Sequence, residues 1–403
     1  MSPDDSLPAA LPAALPDALS EVLPDDLLER IRGRAAGYDR DNAFFHEDLE
    51  ELAAAGYLKI FVPASDGGLG LGLAAAAQLQ RRLATAAPAT ALSINMHLVW
   101  TGVAHVLAAR GDASLDFVLK EASQGEIFAF GNSEAGNDSV LFDSLTTAVP
   151  DAAGGYSFTG RKIFTSLSPA WTRLGIFGKD TSAGDGEGQL VHGFITRDTP
   201  GYEILADWDT LGMRASQSNT TVLDGAVVPA ERIFRKLPVG PNADPLIFAI
   251  FACFETLLAA VYTGLGERAL DLAVEAVKRR TSFKNGGRSY AQDPDIRWKV
   301  AEAAMAMDAL YPQLSSVAAD VDALAEHGVQ WFPKLVGVKV SATETARTVV
   351  DLAIRVSGGS SYFRGSELER LYRDVLAGMF HPSDDESAHN TVANAWLGPL
   401  ESP

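Results

Sequence analysis

The amino-acid sequence predicts a mainly α-helical chain with a central β domain, ordered as an N-terminal helical domain, a middle β-barrel and a C-terminal four-helix bundle. Two observations carry this. Apolar residues recur at helical spacing up to about residue 122 and again from Asp244, whereas the stretch between them consists of short β-branched and aromatic runs separated by turns. At 403 residues and 47% hydrophobic content, the chain is also long and apolar enough for two or three domains. The expected divisions are a mobile tail over 1–22, a helical domain over 23–123, a β domain over 124–236 and a helical bundle over 237–403.

Each element has its own signal. Prolines recur through the first 24 residues and interrupt any helix there. From Asp25, Leu27, Leu28 and Ile31 follow a helical period, and HEDLEELAAAGYL (46–58), the alanine-rich 73–86 and the apolar run 91–109 continue it. FVPASDGGLGLG (61–72) is a proline- and glycine-rich connection. The runs IFAFGN, GYSFTGRKIFTS, RLGIFGK, LVHGFIT, GYEIL and TTVLDGAVVP are strand candidates, with hairpin or loop chemistry at Gly154-Gly155 and from Gly184 to Gly188. Helical patterns then return at about 245–279, 295–326, 329–356, 364–376 and 386–397, long elements with short joints, as in a bundle.

Charge and cysteine content narrow the function. Lys and Arg total 33 against 52 Asp and Glu, a formal charge of −19, which argues against nucleic acid or an anionic membrane as main partner. The single cysteine, Cys253, excludes an intrachain disulfide or cysteine metal cluster and fits a reducing cytoplasm; no metal site is expected. The acidic, proline-rich start does not resemble a secretion signal. The apolar run from Pro245 to Gly266 is interrupted by Glu255 and reads as a buried bundle helix instead of a membrane span.

Three sets of residues could carry chemistry. R-T-S-F at 280–283 offers a fixed charge and hydroxyl donors suited to a diphosphate, and S-G-G-S at 357–360 lets backbone approach a ligand closely; read locally, the first only suits the helix dipole and the second is a C-cap. Glu255 follows nine apolar residues, so an unpaired carboxylate there would have a raised pKa suited to proton transfer; on a polar face, or paired across the bundle, it would be structural. His97 and His381 are the imidazoles to weigh, each a possible base or donor, although a lone histidine on an apolar helix is more often a hydrogen-bonded core residue. The acidic run 384–386 suits a helix N-terminus.

Six stretches together resemble the acyl-CoA dehydrogenase family of flavoproteins, a likeness that covers nearly the whole chain from about residue 25. FAFGNSEAGNDS (128–139) is similar to the family's Y-x-x-T-E-P-x-A-G-S-D, and GRKIFTSLSP (160–169) to G-x-K-x-W-I-T-N-G. DTLGMRASQSNTTVLDGAVVPAERIF (209–234), R-T-S-F, the Gly358-Gly359 turn and SELERLYRDV (366–375) complete the set. The resemblance implies FAD, bound by Phe130, Ser133, Phe164, Thr165 and Ser166 around the flavin ring. It implies that Arg280 and Phe283 meet the FAD of a neighbouring subunit in a homotetramer, and that Gly358 and Gly359 close over its diphosphate and adenosine. Ser139 would touch an acyl-thioester carrier, and Arg214 would form an ion pair joining domains. Ala135 replaces the motif's proline and Val140 its aspartate.

The family's catalytic glutamate is missing. Counting nine from Arg373, or sixteen back from Gly398, reaches Pro382, with His381 beside it. Family branches that carry the base on the earlier helix place it at Phe254, next to Glu255. The leading expectation is an FAD-dependent oxidoreductase that introduces a 2,3-double bond into an acyl thioester, with hydride passing to flavin N5 and a displaced base. The alternatives are a flavin-dependent monooxygenase on the same fold, and a flavin-binding protein without catalysis. Partners would be a small molecule together with an electron acceptor or a flavin reductase.

Overall fold

Leu19, Val22 and Leu23 share one face of a proline-free stretch, and they bury it: Asp17–Val22 is helix α1 where a tail was expected. The computed structural model describes residues 17–182 and 188–400, so the remainder of the expected tail, and Gly184 of the expected loop, lie outside the described residues. The N-terminal part continues with α2 (Asp25–Asp41), α3 (His46–Ala54), α4 (Leu73–Ala86), α5 (Pro88–Ala109) and α6 (Asp116–Ser123). Helix α5 starts on Pro88, whose missing N–H costs nothing in a first turn, and it is apolar on all sides because protein surrounds it on all sides.

The middle part is an eight-stranded sheet. Strands β1 (Phe128–Gly131), β2 (Thr147–Pro150), β3 (Tyr156–Lys162), β4 (Arg173–Asp180), β5 (Gln189–Thr196), β6 (Tyr202–Ile204), β7 (Thr221–Val228) and β8 (Ile233–Pro238) run in the order β6-β7-β3-β2-β4-β5-β8, with β1 parallel to β4. The sheet curls until Val228 of β7 lies over Gly193 of β5, where a Cβ would meet Val228 Cγ1 at 2.8 Å. It is a barrel open between its end strands β6 and β8.

The C-terminal part holds α7 (Pro245–Arg279), the small hairpin β9 (Thr281–Ser282) and β10 (Arg288–Ser289), α8 (Pro294–Asp322), α9 (Trp331–Ser357), α10 (Glu367–Val375) and α11 (Asp385–Leu397). The two longest helices begin on capping aspartates: Asp244 accepts from Leu246 N at 2.8 Å, and Asp293 from Asp295 N and Ile296 N. Asp384 caps α11 by accepting from Ser387 N at 2.9 Å, as the acidic run suggested. Helices α5 and α7 are long and apolar enough to cross a membrane, but 89% and 83% of their most apolar windows are buried within the protein.

Arg373 and Asp374 of α10 stitch the three parts together. Arg373 donates to Asp39 of α2 at 2.7 Å and to Leu211 O at 3.0 Å, while Asp374 accepts from Met213 N at 2.6 Å. Arg214, expected to form the ion pair joining domains, reaches α2 only through Asp39 O at 2.8 Å; its ion pair is local, with Asp209.

Helices α4 and α7 pack through Gly264, where a Cβ would lie 2.1 Å from Arg81 O. Gly264→Ala must therefore push the two helices apart, and a loss of about 1–3 kcal/mol in urea unfolding is expected. Stability within 0.5 kcal/mol of the parent, at roughly the scale of a neutral surface change, would show that this contact does not set the spacing.

Candidate functional site

A cavity of about 500 Å³ lies where strand ends of the β part meet α5, α7 and the segment after α10, a volume in the range that holds a small organic ligand. Phe130, Asn132, Ser133, Ser139, Phe164, Ser166, Phe254, Glu255, His381 and Pro382 all contribute to its wall.

One buried ion pair fixes the β side of this wall. Glu134 Oε1 accepts from Lys162 Nζ at 2.7 Å, and the same carboxylate accepts from Ser144 Oγ, Leu145 N, Thr146 N and Thr146 Oγ1. Lys162 lies over the Phe177 ring at 4.3 Å. Burial alone would raise the Glu134 pKa, but Lys162 and the Thr146 and Leu145 hydrogen bonds outweigh it and hold the group down to about 2. The loop after β1 is thereby tied to the end of β3, so that Ile163 N donates to Ser133 O at 2.9 Å and Ser133 and Ser166 reach one cavity.

Backbone strain gathers here. Val140, Phe164 and Met213 line the cavity with φ of 46°, 56° and 52°, and Leu167, beside Ser166, has φ 65°. Side-chain residues in the left-handed region cost about 1–2 kcal/mol each and persist where surrounding structure imposes them. In this setting Phe164 is half exposed, edge-on to Trp208, and presents its ring to the cavity. Ser166 Oγ is hydrogen-bonded to Ser218 Oγ at 2.7 Å.

On the bundle side, Glu255 is buried and lines the cavity although the frame count had put the base position at its neighbour; Phe254 lines the cavity as well. Among the described residues no arginine pairs with Glu255. Its Oε1 accepts from Ser383 N at 3.1 Å and Ser383 Oγ at 2.9 Å, and its Oε2 has no partner. Burial drives its pKa well above the usual carboxylate range, against the opposing pull of Ser383 and Lys339. His381 shares a hydrogen bond with Tyr262 Oη at 2.9 Å, and burial together with the Lys339 charge lowers its pKa to about 3, so its ring is neutral near pH 7. Lys339, which sequence reasoning missed, is a buried lysine on α9 whose Nζ donates to the carbonyls of Gly378 (3.1 Å), His381 (3.0 Å) and Ser383 (2.7 Å). The signal was there: it falls on the apolar face that Leu335 and Ala342 define.

Not every expected residue comes to this site. His97 is buried away from it with both ring nitrogens engaged, Nε2 on Leu58 O at 2.7 Å and Nδ1 accepting from Phe128 N at 3.1 Å; it ties α5 to β1 and is no base. Thr165 is buried off the cavity wall, because the chain at the end of β3 turns its side chain inward. Arg280, Phe283, Gly358 and Gly359 do not line this chain's cavity. About 25 positions of helix separate Arg280 from Glu255, roughly 37 Å. Arg280 instead donates to Ser357 O and Val356 O, so the two motifs read separately in the sequence meet in one place.

The wall suits a planar, hydrogen-bonding ring. It is largely aromatic and aliphatic, it sets Ser133 and Ser166 near one another, and it includes Asn132, whose buried amide nitrogen has no partner. Such a fold and site define a flavin-dependent oxidoreductase.

Comparison with known proteins names the family. Residues 18–115 match the acyl-CoA dehydrogenase N-terminal domain and residues 256–385 the acyl-CoA dehydrogenase C-terminal domain. The chain is 32% identical over 370 residues to L-evernosamine nitrososynthase of Micromonospora sp., covering 88% of this chain and 84% of that one. It is 25% identical to the dibenzothiophene monooxygenase of Rhodococcus qingshengii, covering 88% of each. The structure of KijD3 in complex with FMN and dTDP-3-amino-2,3,6-trideoxy-4-keto-3-methyl-D-glucose superposes with a TM-score of 0.84 at 28% identity, covering 96% of both chains. The chain belongs to the acyl-CoA dehydrogenase family.

Replacing Glu134 by Gln leaves Lys162 buried without a counter-charge. A loss of about 3–5 kcal/mol in unfolding free energy is expected, with weaker flavin retention on gel filtration. Since the folded carboxyl titrates at about 2, below its ordinary 4.5, the pair's contribution is complete above pH 4.5 and disappears as pH falls toward 2. Acid titration should find the variant's stability flatter than the parent's across that window; parallel curves would show that Glu134 is not the titrating group.

Proposed function

We propose that this chain is a flavin-dependent monooxygenase that transfers oxygen to a small, mostly apolar, amine-bearing molecule. The observation that carries the reading is the segment where we place the family's base. Pro382 cannot take a proton, and His381 beside it is held neutral by burial and Lys339. A reduced flavin, when bound, would supply the electrons that activate dioxygen, one oxygen atom going to the substrate and the other leaving as water. The nitrososynthase likeness supports an amine nitrogen as acceptor, and the cavity supports an uncharged buried portion. Its one basic wall residue, Arg373, is already engaged with Asp39 and Glu369.

In this reading Phe164 would cover the flavin ring, Ser133 would bond its pyrimidine side, and Ser166, relayed to Ser218, would meet N5. Asn132 would offer its unpartnered amide to the flavin or to the incoming oxygen. Glu255 would use its free oxygen to accept a proton from the substrate amine. Ser139, exposed at the cavity edge, would touch the outer portion of the substrate. A separate flavin reductase or another electron donor would be needed, and the cytoplasm would provide it.

FMN fits the KijD3 likeness, whereas the Arg280–Gly358 meeting point supports FAD. That point lies too far away to serve its own chain's cavity, so FAD would require a homotetramer in which Arg280, Phe283, Gly358 and Gly359 reach a neighbour's cofactor. Phe283, Tyr362 and Phe363 are exposed around it, as a covered surface would require. Chromatography of the flavin released on denaturation decides between the two, and light scattering reports the assembly. FAD recovered from a monomer would refute the shared site.

A second reading, dehydrogenation of an acyl thioester, is favoured by Glu255 itself, a buried carboxylate with one free oxygen at the cavity. Two mixing experiments separate them. Anaerobic bleaching of the oxidised flavin by an acyl-CoA panel supports dehydrogenation; in air, oxygen uptake with reduced flavin and an amino sugar, giving an oxygenated product, supports the monooxygenase. In either reaction Glu255→Gln should slow turnover by at least about a hundredfold with flavin content unchanged, and a full-rate variant would remove Glu255 from the mechanism.

A further inference from the structure

We propose that Lys339 is a positioning residue, which clamps the 378–383 segment through three backbone carbonyls, seats Ser383 on one oxygen of Glu255 and so leaves the other oxygen to the cavity. The inference deepens the reading of Glu255 as the group that handles the proton.

An ammonium has three N–H donors and no acceptor, and Lys339 directs them at Gly378 O, His381 O and Ser383 O. A neutral amine has two N–H bonds, so the three-carbonyl cage favours the charged form, against burial, which lowers the Lys339 pKa. The three acceptors belong to a segment of six residues that includes no regular strand or α-helix. Residues 378–380 close a 3-10 helix (Leu376–Phe380), but 381–383 lie beyond it and before the cap of α11, and there the lysine holds the carbonyls of His381 and Ser383. Ser383 is the link to chemistry: its carbonyl accepts from Lys339, and its N–H and hydroxyl both donate to Glu255 Oε1. Displacing the segment would free Glu255 to turn and would move His381 and Pro382 out of the cavity wall.

The charge acts alongside the geometry. The groups around Glu255 are Lys339 from α9 and Ser383 and His381 from the segment, with His381 bonded in turn to Tyr262 of α7. Asp384 and Asp385 at the start of α11 and Glu344 on α9 act on Lys339 from the far side. Lys339 is the one cation among them, and its field opposes the upward shift that burial imposes on Glu255.

Two readouts that need no substrate test this on the flavin-loaded full chain. Hydrogen exchange followed by mass spectrometry should show the 378–383 amides exchanging at least about tenfold faster in Lys339→Met, with the α7 core unchanged. Infrared difference spectra, assigned with Glu255→Gln, should show the Glu255 ionisation midpoint rising by about one to three pH units in Lys339→Met. Lys339→Arg, which keeps the charge, should hold the midpoint near the parent's. Unchanged exchange and an unchanged midpoint would overturn the proposal. If Lys339→Met does not fold, Lys339→Met/Glu255→Gln removes both buried charges together. A folded double variant with a fast-exchanging segment supports the clamp; one that also fails to fold reduces Lys339 to packing and overturns it. Because neither readout involves turnover, failure to find an oxygenated product would count against the proposed reaction and leave this test intact.

Discussion

The buried contact between Glu134 and Lys162 is what the cavity depends on. The residues around it come from two places in the chain, the loop after β1 and the end of β3, and no sheet hydrogen bond runs between β1 and β3. A charge pair in a dry interior is a poor source of net stability, because desolvation offsets most of the attraction. Its value here is positional. The Glu134 carboxylate accepts from a fixed set of donors, on Asn137, Lys162, Ser144, Leu145 and Thr146, which ties the loop to the strand end in one arrangement. That arrangement holds Ser133 and Ser166 at one cavity, beside Phe164 with its left-handed backbone.

The bundle side solves the same problem by other means. Helix α7 cannot satisfy a carboxylate with its own apolar neighbours, so Glu255 depends on a segment 128 residues later in the chain. That segment follows a short 3-10 helix, and its irregular end is held by Lys339. The sequence of dependencies runs from an ammonium to three carbonyls, to a serine, to a carboxylate, and each link is a directed hydrogen bond. A wall built this way fixes the irregular residues 381–383 through side-chain hydrogen bonds and leaves one Glu255 oxygen without a partner.

How far these features were legible in the sequence follows from their range. Helices and strands rest on short-range periodicity, so the α-β-α order and the long bundle helices could be read directly. Asp384 could be read as a cap because capping is decided within four residues. Helix α1 was missed because the proline-rich stretch upstream coloured the reading of a proline-free turn whose apolar face is clear in hindsight. Of the site, Phe164, Ser133, Ser166, His381 and Glu255 could be named from motif frames and apolar context, and all of them line the cavity. His97 was misjudged because its two hydrogen-bond partners, Leu58 O and Phe128 N, lie 39 and 31 residues away, and nothing local shows that both nitrogens are taken. Lys339 was missed for the opposite reason: a lysine on an apolar helical face is conspicuous, but its partners are carbonyls, which carry no residue identity.

The chain's overall charge and the character of its cavity point in different directions, and the difference is informative. A formal charge of −19 would repel an anionic ligand at long range, yet screening confines that effect to about 10 Å at ordinary ionic strength, so local groups decide what is bound. Locally the cavity offers one arginine already neutralised by two carboxylates, one neutral imidazole and one carboxylate with a raised pKa. None of these attracts a phosphate. All of them tolerate an uncharged amine, and the acidic form of Glu255 is the one that burial favours. In the proposed reaction the ionised fraction of Glu255 would take the proton that the substrate amine loses, and burial would favour the acid so formed.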